Sequence, residues 1–182
     1  MENVMLVRRV AWVTPGDDSW RLNFAGYSAS VPNGDAGIGC ILRDQNALFK
    51  AGYAAPIRDS GNVTKTELIS LKIGLEIALR LGIDYLEIAG DYSIVIRLLL
   101  GELLPLPPSV QVLLEECYHF LAQFRSTRIR QLHIHANKPA NKLAIIGAEL
   151  EEPLHWVDKA PPEIAESLLA DVIGRWMPLA DP

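Results

Sequence analysis

The sequence predicts an α/β domain in which helices flank a five-stranded mixed sheet whose first three strands are antiparallel. Two observations carry this. Between Trp20 and Asp59, three β-like runs succeed one another across polar turns, the pattern of consecutive antiparallel strands. At Val63 the period changes from two to 3.6 residues, and short apolar runs then take turns with amphipathic segments, as strands and helices do in mixed domains. The order read is βββαβααβα.

The opening strand, WRLNFAGYS, sets Leu22 and Phe24 against Arg21 and Asn23, and DAGIGCILRD and ALFKAGYAAPIRD supply the second and third. In VTKTELISLKIGLEIALRLG, Leu68, Leu71, Leu75, Ala78 and Leu79 form one helical stripe, with Thr64 as the expected N-cap and Gly82 as the stop. YLEIAGD reads as a short buried strand. YSIVIRLLLGE begins a short helix that ends before Pro105, Pro107 and Pro108. SVQVLLEECYHFLAQF is a long amphipathic helix, RIRQLHIH a fifth strand, and PANKLAIIGAEL a helix with Pro139 in its first turn.

Residues 1–19, ending in the turn-forming TPGDDS, form an N-terminal extension, and residues 20–150 form the domain. Residues 151–182 form a helical tail, in which Ile164, Leu168, Leu169, Val172 and Ile173 recur at helical spacing and pack on the domain.

At 182 residues, 49% hydrophobic and 21% charged, the chain suits one compact domain. Even Ile94 to Leu104 is broken by Arg97 and Glu102, so no run approaches the roughly 18 apolar residues of a membrane span. MENVMLVRRVAW shows no targeting pattern, so a cytoplasmic or nuclear location is expected. Cys40 and Cys117 sit in apolar segments with no metal or redox spacing, and read as reduced core residues. The net charge of −5 gives no global basic surface for nucleic acid. Arg8 with Arg9, and Arg125 with Arg128 and Arg130, are local basic clusters that read first as solvated faces.

Two carboxylates fall where an α/β sheet gathers a site: Glu67 in the first helix and Asp91 after the fourth strand. Alone they read as structural or solvated. Their context is more specific. WRLNFAGYS, AGIGCILRD, TELISLKIGLEIALRLGI, LEIAGDYSIVI and NKPANKLAIIG, in this order from Trp20 to Leu150, resemble the type 1 ribonuclease H domains, particularly the plant branch related to retrotransposon enzymes. The tail PPEIAESLLADVIG resembles the segment that succeeds the domain in that branch.

The resemblance implies a ribonuclease H-like fold and a site that cleaves the RNA strand of an RNA–DNA hybrid with two magnesium ions held by four carboxylates. Two adjacent hard cations require several anionic oxygens. Glu67 and Asp91 match two of those positions, although Tyr92 stands where relatives usually have serine. Ala25 stands in place of the first aspartate, which is shared by both metals, and Asn141 in place of the last. A histidine frequent in the loop before the last helix is replaced by Gln131, while His133 and His135 read as cross-strand packing residues. Asp17, Asp18, Asp35 and Asp44 do not occupy the first-strand position.

The expectation is a nucleic-acid-binding domain, for RNA or RNA–DNA hybrid, that has lost catalysis. No cofactor is expected, with a Mg2+ or Mn2+ ion at low occupancy between Glu67 and Asp91 as the residual case. One alternative is a protein-interaction module whose partner docks through the C-terminal tail. Trp12, Trp20, Trp156 and Trp176 lie at or outside the domain edges, where they either anchor such an interface or cap the core. The other alternative is a residual metal-dependent hybrid ribonuclease. The helix over 109–124 carries Glu115 and Glu116 and neither Lys nor Arg, which weighs against binding there.

Overall fold

The computed structural model describes residues 7–10, 13, 15–16, 18–28, 35–58, 62–173 and 175–178. Trp12 and Asp17 lie outside the described residues, as do the side chains of Arg8, Arg9 and Trp176. Strand β1 (Val7–Val10) pairs with the last strand, β8 (Arg175–Pro178), in a separate antiparallel ribbon.

The main sheet is built on β2 (Trp20–Ser28), β3 (Ala36–Arg43) and β4 (Phe49–Ile57), antiparallel neighbours as expected. β5 (Tyr85–Gly90) lies parallel to β2, and β6 (Ser126–Gln131) parallel to β5. A sixth strand, β7 (Leu154–Val157), joins β4 antiparallel, so the sheet runs β6-β5-β2-β3-β4-β7 rather than stopping at five. It comes from a segment whose sequence reads as tail. LHWV shows no alternation, and only Trp156 is partly buried there, so a periodicity reading has nothing to detect.

Helices α1 (Val63–Arg80), α2 (Ser93–Leu99) and α3 (Pro108–Leu121) cover one face, closing a core around Leu22, Phe24, Leu68, Leu71, Leu75 and Ile88. Helices α4 (Lys138–Glu149) and α5 (Pro162–Ile173) cover the other, over Ala25, Ile41, Ala54, Leu143 and Ile164. α4 lies unusually close to the sheet because β3 offers glycines beneath it: a Cβ on Gly39 would sit 2.3 Å from the Ala144 nitrogen. Trp20 and Trp156 pack partly buried against the two cores. Cys40 and Cys117 are buried and free, and burial pushes both thiols up to about 12. Among the described residues no helix is long and apolar enough to cross a membrane.

Local corrections arise from tertiary context. The N-cap of α1 is Asn62, whose Oδ1 accepts the Lys65 N–H at 3.1 Å, while the Thr64 hydroxyl lies 3.4 Å from that of Tyr92. Gly82, at φ +70°, ends the helix as expected. β6 stops at Gln131 because its partner strand stops at Gly90. His133 and His135 therefore lie beyond the strand and pack across none; they are exposed, and their rings stack on each other at 5.1 Å around a short 3-10 turn, Ile134–Ala136. In α5, Ile164, Ser167 and Asp171 are the buried positions with Leu168 beside them, whereas Leu169, Val172 and Ile173 are exposed. On that buried face Ile164 and Leu168 pack on the core and Asp171 pairs with Arg43 of β3, a partner that apolar spacing alone cannot reveal.

Candidate functional site

The site forms where the middle of β2, the end of β5, the second turn of α1 and the first turn of α4 meet. At Gly26 the strand and α1 nearly touch: a Cβ there would lie 2.7 Å from the Glu67 nitrogen and 2.9 Å from the Thr66 carbonyl carbon. Only glycine permits this approach, and it delivers Glu67, in the second turn of α1, to the backbone N–H of Gly26. Glu67 is 4% exposed, and its Oε2 has no hydrogen-bond partner. Burial pushes the carboxyl up to about 8; the Gly26 N–H opposes this, and the neighbouring Asp91 charge adds to it.

Asp91 immediately succeeds β5 and is half-buried. Its Oδ1 accepts from the side-chain amides of both Asn137 and Asn141, the latter at 3.2 Å. The Asn141 amide also donates to the Asn137 carbonyl at 3.2 Å. With acceptors on both sides, its nitrogen and not its oxygen faces Asp91.

Asn137, fully buried just before α4, is the hub. Besides Asp91, its amide donates to the Phe24 carbonyl at 2.8 Å, and its Oδ1 accepts from Asn23 at 3.0 Å. Asn23 in turn accepts from Arg43 Nη2 at 3.1 Å, and Arg43 Nη1 meets Asp171 at 3.0 Å. A continuous polar chain thus runs from Asp91 through the sheet face to α5. Beside it, Arg21 is paired with Glu87, also buried.

Three of the four positions singled out by resemblance converge on polar contacts: Glu67, Asp91 and Asn141. Ala25 is fully buried, its methyl part of the apolar cluster with Ile41, Ala54 and Ala140. Gln131 is exposed at the end of β6. Tyr92 occupies the N-cap of α2 but makes no capping bond, the role a serine fills there. Sequence reasoning does not gather Asn23, Arg43, Asn137 and Asp171 into a unit. Asn23 and Arg21 look solvent-facing by alternation, yet α4 and α5 lie over that face. The one signal the sequence offers is Asn137, four residues before Asn141 at a helix start.

A pair of dications does not fit this donor set. Ala25 brings no oxygen, Asn141 presents a donor, and two amides occupy Asp91 Oδ1. Among the described residues no three His, Cys, Asp or Glu side chains are arranged to hold a metal ion.

The chain matches the reverse transcriptase-like family over residues 23–146. It is 26% identical over 171 residues to an Arabidopsis thaliana protein named "Putative ribonuclease H protein"; the match covers 94% of this chain and 27% of that relative, so the chain spans about a quarter of its length. The fold is similar to RNase H1 of the halophilic archaeon Halobacterium salinarum, with a TM-score of 0.67 and 24% identity over 72% of this chain and 98% of the other. It is also similar to LC11-RNase H1 solved in complex with an RNA/DNA hybrid, with a TM-score of 0.65 and 18% identity over 71% and 96% of the two chains. With the family matched over more than half the sequence and the architecture shared with RNase H1 structures, this chain belongs to the reverse transcriptase-like family and has a ribonuclease H-like fold.

Proposed function

We propose that this chain binds RNA or RNA–DNA hybrid through its ribonuclease H-like frame and does not cleave it. The observation that carries the second half is the pair of amide donors on Asp91 Oδ1, beside an alanine where the resemblance places the shared metal ligand. Two-metal hydrolysis needs anionic oxygens around both cations, and this site supplies hydrogen-bond donors instead. Support for binding comes from the shared fold and from a hybrid-bound relative of similar architecture. Recognition of such duplexes rests mainly on shape and 2′-hydroxyl contacts, which do not depend on catalytic metals.

The test combines binding and cleavage. Anisotropy titration with a labelled hybrid is expected to show salt-sensitive affinity, while the same hybrid stays intact with Mg2+ or Mn2+ at high protein. Restoring both acids, in Ala25→Asp with Asn141→Asp, is expected to create metal-dependent cleavage. Cleavage by the wild type that Glu67→Gln abolishes would establish the residual ribonuclease instead, with an ion between Glu67 and Asp91.

The outward face of α5 favours a second reading, a protein-interaction module. Leu169, Val172 and Ile173 are each about 60% exposed on adjacent turns. A stoichiometric partner that co-purifies with the wild type and is lost when these three become polar would support it.

A further inference from the structure

The polar network of the site accounts for β2, β5, α1 and α4, but leaves the sheet edge at β6 unexplained. β6 is the outermost strand next to β5, and five of its six residues are exposed. The register places Arg128 beside Glu87 and Arg130 beside Ala89, so both arginines project on the face that carries α4. Two residues along a strand is about 6.7 Å, close to the separation of successive phosphates on one nucleic-acid strand. Arg125, just before β6, lies over the Tyr85 ring at 5.8 Å, which steadies its guanidinium in an exposed position.

None of these arginines is held by a carboxylate among the described residues, and the nearest candidate, Glu87, is committed to Arg21. Charge is therefore concentrated here in a chain of net charge −5. The row also has a direction. Leu132 donates its N–H to the Gly90 carbonyl at 2.8 Å, so the end of β6 delivers the chain to the residue preceding Asp91. Past it stand the exposed stacked rings of His133 and His135, then exposed Lys138 at the start of α4.

Charged residues on an edge strand also deter sheet-to-sheet association, but that role needs neither one sign nor one face. We infer that the exposed edge of β6, through Arg125, Arg128 and Arg130, is a track for the phosphate backbone of one nucleic-acid strand that leads to the site at Asp91. The inference rests on the nucleic-acid reading above and adds where the strand lies. Arginine suits it because its planar fork engages phosphate oxygens in pairs.

The experiment is an anisotropy titration of the full chain with a fluorescein-labelled RNA–DNA hybrid and the matching single-stranded RNA, across a range of KCl concentrations. Arg128→Gln with Arg130→Gln is compared with the wild type and with Arg80→Gln, an exposed arginine at the end of α1. The double variant is expected to lose about tenfold or more in affinity and to flatten the slope of log Kd against log salt by about one to two, one per phosphate contact. Arg80→Gln is expected to match the wild type. Wild-type affinity and slope in the double variant overturn the track and leave the nucleic-acid reading standing. A wild type with no salt-sensitive binding overturns both. If the double variant aggregates, photo-crosslinking of wild type to 4-thiouridine-containing RNA decides: crosslinks within residues 125–138 are expected, and crosslinks confined elsewhere refute the track.

Discussion

Replacing Glu67 by Gln tests whether the site is neutral by design of its surroundings. The carboxyl is 4% exposed, with one oxygen unpartnered, and is pushed from near 4.5 up to about 8. An unfolded chain ionises this group near 4.5, while the folded chain keeps its proton until about 8. Between those values the folded state binds one more proton than the unfolded state, so stability falls as pH rises. The contribution is fully present below 4.5, drains at about 1.4 kcal/mol per pH unit, and is gone above about 8. The whole interval corresponds to a ceiling on the order of 5 kcal/mol, and water entering a half-open site would lower it to about 2–4 kcal/mol. Glutamine keeps the shape and an acceptor for the Gly26 N–H but cannot ionise. Urea unfolding of both proteins at pH 5 and pH 8.5 isolates the effect, since titrating groups that do not interact with Glu67 cancel in the difference. The expected result is near-equal stability at pH 5 and a variant more stable by about 2–4 kcal/mol at pH 8.5. The same stability difference at both pH values would show that Glu67 ionises normally, and the account of a neutral site would fail.

Three further outcomes rest on named contacts. Asp171→Ala removes the carboxylate facing buried Arg43 and is expected to cost about 3–5 kcal/mol in urea unfolding, with partial recovery in the double variant with Arg43→Met. Gly26→Ala forces a Cβ to within 2.7 Å of the α1 backbone, so a loss of about 1–3 kcal/mol is expected, read by thermal denaturation. Cys40 and Cys117, buried with thiols raised to about 12, are expected to resist an aromatic disulfide reagent until the protein is unfolded, when two equivalents react.

The sheet and its helices are legible in the sequence where burial obeys a period. α1 and α4 each present one apolar stripe to a core, which the 3.6-residue period reports directly, while β2 to β4 are buried between two helical layers and are legible as apolar runs between polar turns. β7 escapes because a short edge strand with little buried surface has no such face. The rotation of α5 escapes because its buried face carries the polar Asp171, paired with the distant Arg43, while three apolar residues at helical spacing remain in solvent. At the site, Glu67 and Asp91 are legible as acids in the first helix and after a strand end, and the resemblance alone singles out Ala25 and Asn141 as replaced positions. The role of Asn137 is not. It joins residues 46 and 114 positions away, Asp91 and Asn23, and an asparagine before a helix looks the same whether it caps that helix or bridges distant strands and loops.

If positions 25 and 141 replace metal ligands, as proposed, these contacts account for how the site tolerates the replacements. Carboxylates gathered in one pocket repel one another and gain stability only when a cation sits among them. An alanine at position 25 removes a buried charge and lets its methyl close the apolar cluster beneath α4. An asparagine at position 141 turns a like-charge neighbour of Asp91 into a donor that binds it. On that reading each substitution favours the metal-free fold, while burial holds the Glu67 carboxyl above its ordinary range. Restoring the two acids should therefore act in opposite directions on stability and chemistry. Without Mg2+ the restored protein is expected to be less stable than the wild type, and with Mg2+ the deficit is expected to shrink as the ion binds the folded state alone. Thermal melts with and without Mg2+ measure this independently of cleavage, and a melting temperature indifferent to Mg2+ would mean that the four positions no longer converge closely enough to share a cation.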